Sequence, residues 1–70
     1  MIQVYVQATE EYRCRKALLS KGPITIAGLT EDGRACTVSG RVQSVEAGHR
    51  VIPDHPLRIT IQELQSGELP

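Results

Sequence analysis

The chain contains no phenylalanine and no tryptophan, and tyrosine occurs only twice. Because large aromatic side chains supply much of the buried area in small domains, the core must be built from isoleucine, valine and leucine. At 70 residues the chain is one domain at most, near the lower end of the sizes that fold without help. Its predicted stability is therefore marginal, and association with another protein or with its own copy would raise it.

Net charge is also missing, since eight basic residues balance eight acidic ones. No overall field attracts the protein to nucleic acid or to an anionic membrane, so such binding would need a local patch. The sequence has neither a signal-peptide pattern nor an apolar run near the ~20 residues that cross a bilayer. We expect a cytoplasmic protein with no membrane partner, in which Cys14 and Cys36 are thiols, although a pair between them stays open.

Residues 24–46 carry the clearest structural signal, because two runs of alternating apolar residues flank the turn dipeptide Asp32-Gly33. This pattern predicts a β-hairpin. A loop of these two residues alone would place Ile26 and Val38 on opposite faces of the sheet, so we reject that register.

A three-residue loop, Glu31-Asp32-Gly33, brings the apolar residues of the hairpin to one face, and Gly33 supplies the positive φ of a bulge. The pairs predicted by this loop are Ile26 with Val38, Gly28 with Cys36, and Ile24 with Gly40. Each strand glycine then lies opposite a larger partner, which indicates a kink, a barrel corner or close approach of another backbone. Further along, Ser44-Val45 breaks the alternation and indicates a bulge or bend.

A helix is predicted for residues 10–21, because Thr9 can cap its start and Gly22-Pro23 can end it. At 100° per residue the core-facing stripe consists of Cys14, Ala17 and Leu18. Tyr12 and Leu19 emerge together on the opposite side. Either this side of the helix contacts something, or the segment is a strand in an all-β fold.

Two further alternating runs predict a first and a last strand and complete the order β-α-β-β-β. In the first strand, Ile2, Val4 and Val6 alternate with Gln3, Tyr5 and Gln7. In the last strand, Leu57, Ile59 and Ile61 alternate with Arg58, Thr60 and Gln62. The first strand should have one buried face and one wet face. We predict an α+β domain over residues 1–64, with a four-stranded, mainly antiparallel sheet and one helix, followed by a polar tail at residues 65–70. The alternative is a small SH3-like or Sm-like β-barrel, for which a long bent strand with glycines would be natural.

Part of the hairpin resembles the strand pattern of Sm-like proteins. Gly33-Arg34 and the run VSGRVQSVE at residues 38–46 follow that family's order of a glycine, alternating apolar residues and an acid after a hairpin turn. The likeness covers under a quarter of the chain, and residues 47–50, AGHR, lack the Met-Asn pair that carries much of the RNA contact in that family. We assign no membership and carry over no functional residue.

The helix carries the densest basic cluster of the chain, which consists of Arg13, Arg15, Lys16 and Lys21. Beside the exposed Tyr12 and Leu19, two of these side chains could grip an acidic protein surface around an apolar anchor. We therefore expect a non-enzymatic module that binds another protein or its own copy through Tyr12, Leu19, Arg15 and Lys16. The alternative is an RNA- or DNA-binding module that uses Arg13, Arg15, Lys16, Arg41 and Arg50. The plainest explanation of the cluster is a solvated helix face.

His49 and His55, with Asp54 nearby, lie in a proline-containing loop and supply the only imidazoles. Their spacing matches no ligand pattern for a metal. A nucleophile pair would need Cys14 or Cys36 to meet one of the imidazoles in space. A metal-binding or enzymatic role for the loop at residues 49–55 is therefore the least favoured, and we predict no catalytic residue, no metal site and no cofactor.

Overall fold

Four strands and one helix follow one another in the predicted order in the computed structural model, which describes residues 1–63. The strands are β1 (Ile2–Val6), β2 (Pro23–Leu29), β3 (Ala35–Glu46) and β4 (Leu57–Glu63), and the helix is α1 (Glu11–Ser20). A 3-10 turn at Ala8–Glu10 joins β1 to α1. The predicted α+β class is confirmed, and the predicted tail at residues 65–70 lies outside the described residues.

The antiparallel sheet closes on itself, in the order β1, β2, β3, β4 and back to β1. The closing contact is short, because β1 and β2 share a single bridged pair, Tyr5 with Leu29. By contrast, β4 pairs with every residue of β1 and with most of the second half of β3. The sheet of the α+β domain therefore takes the form of a small barrel, which the alternative prediction described.

The hairpin of β2 and β3 has the predicted register, with Ile26 opposite Val38, Gly28 opposite Cys36, and Ile24 opposite Gly40. The Thr30 N–H donates to the Arg34 carbonyl at 2.8 Å, and the Gly33 N–H donates to the Thr30 carbonyl at 2.9 Å. These bonds enclose the predicted three-residue loop. Gly33 has a φ of +85°, the left-handed region that favours glycine.

Close backbone approach, one of the three explanations that the sequence left open, accounts for the two strand glycines. A Cβ atom on Gly28 would lie 2.7 Å from the Tyr5 carbonyl oxygen, and one on Gly40 would overlap the Gln62 carbonyl oxygen. Both contacts are backbone contacts, so the neighbour cannot rotate away. Glycine is thus required where β1 and β4 pass these two positions of the hairpin.

The predicted bend in the long strand β3 is a β-bulge. Val42 pairs with Ile61 and Ser44 pairs with Thr60, so two steps along β3 match one step along β4. Gln43 is therefore the extra residue. Such a bulge bends the strand and increases its twist, which helps a four-stranded sheet to close.

Apolar side chains from all four strands fill the barrel, and α1 packs against them with its predicted core side. The fully buried or nearly buried members are Val4, Val6, Cys14, Ala17, Ile26, Val38, Val42, Leu57, Ile59 and Ile61. Leu18 of α1 is half-buried and packs against this cluster. The segment is thus a helix, and the all-β alternative for it is excluded.

Tyr5 differs from the prediction for β1, which placed it on a wet face. Its exposed fraction is only 3%. The loop after β3 lies over it, because the His49 ring meets the Tyr5 ring edge to face with centroids 6.1 Å apart. A loop contact that the alternation of β1 does not encode therefore contributes to the burial of this side chain.

The start of the helix also differs from the prediction. Thr9 lies inside the 3-10 turn rather than at the cap, and Glu10, the N-cap residue of α1, makes no capping hydrogen bond with its side chain. The chain begins to wind earlier than predicted, because the Glu10 N–H donates to the Gln7 carbonyl at 3.0 Å. The prediction of Thr9 as the cap was wrong for this reason.

At the other end of α1, Lys21 takes the left-handed conformation, with a φ of 59°. Its N–H donates to the Ala17 carbonyl at 2.9 Å and closes the last turn. Gly22 would be the usual residue for this conformation, and it follows one position later. The helix therefore ends one residue before the predicted end.

Candidate functional site

The outer face of α1, formed by Tyr12, Arg15, Lys16 and Leu19, is the surface that the sequence singled out. Tyr12 is 77% exposed and Leu19 is 83% exposed. The two side chains are seven residues apart, which places them on one side of the helix two turns from each other. We refer to these four residues as the outer helix face.

The helical period explains why this face is left open. Cys14 and Ala17 are buried in the core, so the side chains that lie half a turn away must point to solvent. The predicted exposure of Tyr12 and Leu19 is confirmed by the positions of these core residues.

Charged contacts organise the rest of the outer helix face. The Arg15 Nε atom lies 2.9 Å from Glu11 Oε2, one turn earlier. The Lys16 Nζ atom lies 6.0 Å from the centroid of the Tyr12 ring, at the outer limit of a cation–π contact. One cation is thus neutralised and the other stands beside the aromatic ring, so the face is apolar with a modest positive charge.

The basic residues proposed for nucleic acid are distributed over three parts of the fold. Arg13, Arg15 and Lys16 lie on α1, Arg41 lies on β3, and Arg50 lies in the loop after β3. Arg13 is engaged at both ends of its guanidinium: it forms an ion pair with Glu10 at 3.6 Å and donates a hydrogen bond to the Thr25 carbonyl of β2. With Arg15 also paired to an acid, two of these five side chains have lost much of their attraction for phosphate.

The histidine loop is held by its own backbone and by β3. The His49 N–H donates to the Pro56 carbonyl at 2.9 Å, and the His49 Nε2 atom lies 3.9 Å from Glu46 Oε2. The His55 Nδ1 atom lies 2.8 Å from the Pro53 carbonyl oxygen. Within residues 1–63, no three histidine, cysteine, aspartate or glutamate side chains lie together as metal ligands would.

Both cysteines are free thiols. Burial raises the pKa of the Cys14 thiol above its ordinary value of 9.0, the Glu10 carboxylate raises it further, and the Arg13 guanidinium opposes the shift. A buried thiol with a raised pKa is a poor nucleophile because the thiolate is the reactive form. Cys36 is half-buried in β3.

An ion pair links the outer surfaces of two strands, and the sequence reasoning missed it. Arg58 donates to Glu46 Oε1 from Nε at 3.2 Å and from Nη2 at 2.9 Å. These hydrogen bonds, followed by one with Tyr5, raise the pKa of Arg58 above its usual range. In the sheet, Arg58 lies opposite Tyr5 of β1 on one side and opposite Glu46 of β3 on the other. The contact between Arg58 and Glu46 therefore depends on the strand order, which the sequence does not show.

The surface depressions in the part of the chain that the structure describes include the following two. The larger, of about 540 Å³, lies beside β1 and is lined by Met1, Ile2, Gln3, Tyr5, Glu31 and Thr60. The smaller, of about 360 Å³, lies where the end of α1 meets β3 and is lined by Leu18, Lys21, Arg41, Val42 and Gln43. Sequence reasoning did not find the second one, because its two cations are twenty residues apart and meet only through the packing of α1 on β3.

Comparisons with known proteins give no relative: no family model matches the chain, and no curated protein or solved structure matches it. No helix in residues 1–63 is both long and apolar enough to span a membrane.

Proposed function

We propose that this protein is a non-enzymatic binding domain whose outer helix face docks into an apolar groove of a partner protein. The exposure of Tyr12 and Leu19 on one side of α1 carries the proposal. These are two of the four large apolar side chains that are exposed in residues 1–63, the others being Met1 and Val51. An aromatic and a leucine two turns apart are typical anchors for a helix that binds in a groove.

The charges of the face favour a partner with an acidic rim over a second copy. Arg15 and Lys16 lie between the two apolar anchors along the helix. Arg15 is already paired with Glu11, but in a two-fold dimer through this face the positive charge of Lys16 would lie near the same charge of the other copy, and this repulsion would oppose the contact. A groove with carboxylates at its edge would instead attract Lys16, and its carboxylates would compete with Glu11 for Arg15.

Catalysis is not part of the proposal. The buried Cys14 has a raised pKa that keeps it protonated at neutral pH, and His49 is packed against Tyr5. The free state of both cysteines is usual in reducing compartments, which supports the further proposal that the protein is cytoplasmic.

The test is quantitative affinity capture followed by reconstitution. Wild type, the double variant Tyr12→Ser/Leu19→Ser and the control Val51→Ser would be compared as baits, since Val51 is an exposed apolar residue in the loop after β3. A protein captured by wild type and control but lost with the double variant would then be purified and titrated. Removal of both anchors should weaken the purified complex by about a hundredfold, or about 2.7 kcal/mol.

Two results would contradict this function. The first is a purified partner that binds the double variant as tightly as it binds wild type. The second is a wild-type dimer in light scattering that the double variant abolishes, which would make the face a self-association surface.

Nucleic-acid binding is the weaker proposal, because Arg13 and Arg15 are already paired with carboxylates. With two tyrosines and no tryptophan the protein absorbs weakly at 280 nm, so a co-purified nucleic acid would raise the 260/280 ratio clearly. A raised ratio together with salt-sensitive oligonucleotide binding would favour this proposal over the protein partner.

A further inference from the structure

We propose that the depression between the end of α1 and β3 binds a small organic anion, a carboxylate or phosphate carried on a short apolar body. The proposal concerns a surface separate from the outer helix face and does not rest on the proposed function. The depression of about 360 Å³ has a size suited to a small molecule. Three features meet at it.

The first feature is uncompensated positive charge. Four of the eight basic side chains form ion pairs with carboxylates in residues 1–63, namely Arg13, Arg15, Arg34 and Arg58. The other four form none within residues 1–63, and two of these four, Lys21 and Arg41, line the same depression. Two cations on one concave surface attract an anion more strongly than either would alone, and an arginine fork fits a carboxylate or phosphate in two places.

The second feature is the backbone of Lys21. Among residues 1–63, two residues other than glycine have a positive φ, Lys21 and Asp54. Aspartate adopts this conformation readily, whereas lysine rarely does. Lys21 thus ends α1 in the left-handed conformation, and it lines the depression together with Arg41.

The third feature is the β-bulge at Gln43. A bulge changes the direction of side chains locally, and here it lies on the wall of the depression. The Gln43 Nε2 group donates one hydrogen bond to Gln62 Oε1 at 3.2 Å, which fixes the amide. Its second N–H has no protein acceptor in residues 1–63, and Gln43 lines the depression with the two cations, so this group is a donor left over for a ligand there.

The apolar part of the ligand follows from the rest of the lining. Leu18 is half-buried and Val42 is buried, and together they give the depression an apolar floor. Inorganic phosphate would use only the cations and the amide. A ligand with a short alkyl or similar body would also cover this floor, so we expect it to bind more tightly than the bare anion.

The experiment is a titration of the ¹⁵N-labelled full chain at low salt, in which binding is monitored through the amide chemical shifts. The probes are hexanoate, hexyl phosphate, inorganic phosphate and hexanol, the last being an uncharged molecule of matching length. We expect hexanoate or hexyl phosphate to shift the amides of Leu18, Lys21, Val42 and Gln43 saturably, and the stronger of the two identifies the preferred anion. Inorganic phosphate should bind more weakly, and hexanol should give no saturable shift.

Variants then test the two cations. Lys21→Gln and Arg41→Gln should each weaken the binding of the better probe by about threefold to fivefold, while the exposed control Arg50→Gln should leave it unchanged. Lys21→Gly distinguishes the effect of the lysine side chain on binding from the effect of the backbone conformation on stability. This variant should weaken binding as Lys21→Gln does. Its Tm should be unchanged or higher, because glycine suits the left-handed position.

The proposal is overturned if no probe gives saturable shifts at the depression, or if hexanol binds as well as the better of the two alkyl anions. It is also overturned if inorganic phosphate binds as tightly as both alkyl anions, or if Arg50→Gln weakens binding as much as Arg41→Gln. Because Tyr12→Ser/Leu19→Ser leaves this lining intact, that double variant should bind the probe as wild type does.

Discussion

A Cβ atom at position 28 would lie 2.7 Å from the carbonyl oxygen of Tyr5, so Gly28 and Tyr5 are in contact through their backbones alone. This approach occurs beside the single bridged pair between β1 and β2, Tyr5 with Leu29. The barrel can close here because residue 28 has no side chain.

The loss of stability on alanine substitution should differ among the glycines according to the atoms that surround each one. Gly28→Ala and Gly40→Ala should each destabilise the fold by about 2 kcal/mol or more, because the neighbouring atoms are rigid backbone carbonyls. Gly22→Ala is the matched control, since its Cβ would meet only the Ser20 Oγ atom at 3.5 Å, an ordinary contact. Urea unfolding of the three variants measures the difference. Equal stability of all three would show that the strands separate easily at these points.

A different glycine tests the hairpin loop. A Cβ atom on Gly33 would enter open space, but the φ of this residue is +85°, so the requirement for glycine is conformational rather than steric. Gly33→Ala should cost about 1 kcal/mol, and Gly33→Asn should cost less because asparagine tolerates the left-handed region. Unfolding free energies of the two variants provide the comparison. Loss of stability in the opposite order would contradict the loop geometry.

The two thiols should react at different rates. Cys14 is fully buried with a raised pKa, whereas Cys36 is half-buried in β3. A thiol-specific reagent should therefore label Cys36 first in the native protein, and Cys14 only when the fold opens. Mass spectrometry of a partly labelled sample identifies the modified residue. Faster labelling of Cys14 would mean that α1 detaches from the barrel readily.

The stability of the protein should fall at alkaline pH partly through Cys14. The pKa of this thiol is raised in the folded state, so above its ordinary value of 9.0 the unfolded chain loses a proton that the folded chain retains. Its contribution is complete below pH 9 and is lost as the pH rises through the folded pKa. Cys14→Ala should therefore flatten this decline of the unfolding free energy relative to wild type. An equally steep decline in Cys14→Ala and wild type would contradict the burial effect.

The outer helix face should be dispensable for folding. Tyr12→Ser and Leu19→Ser should each change the unfolding free energy by less than about 0.5 kcal/mol, because both side chains are exposed. Leu18→Ser should cost more, since Leu18 packs against the core from the adjacent position. Thermal unfolding followed by circular dichroism distinguishes them. A large loss with Tyr12→Ser would assign the exposed tyrosine a structural role.

The sequence was most informative where several constraints acted on one element. In the hairpin, the apolar faces of both strands and the position of Gly33 agree on a single register, and the structure has that register. The exposure of Tyr12 and Leu19 follows in the same way from the burial of Cys14 and Ala17 on the other side of α1.

Features that depend on one long-range contact could not be predicted. Tyr5 has the alternation of a wet-face residue, and only the folding of the loop over β1 brings the His49 ring onto it. The depression at Lys21 and Arg41 likewise requires both the left-handed end of α1 and its placement on β3. Local propensity favoured Thr9 as a cap, but the tight turn that starts at Ala8 took precedence.

The single bridge between Tyr5 and Leu29 has a consequence for how the molecule opens. If that bridge breaks, the remaining ladders leave an open sheet in the order β1-β4-β3-β2, with its other pairings intact. Such a sub-global opening exposes the interior without unfolding the hairpin or the β3–β4 ladder. Native-state amide hydrogen exchange should therefore be faster for the amides bonded at the Tyr5–Leu29 bridge than for those bonded within the β1–β4, β2–β3 and β3–β4 ladders. The closure of the barrel therefore depends on one bridge between β1 and β2, the two edge strands of the open sheet.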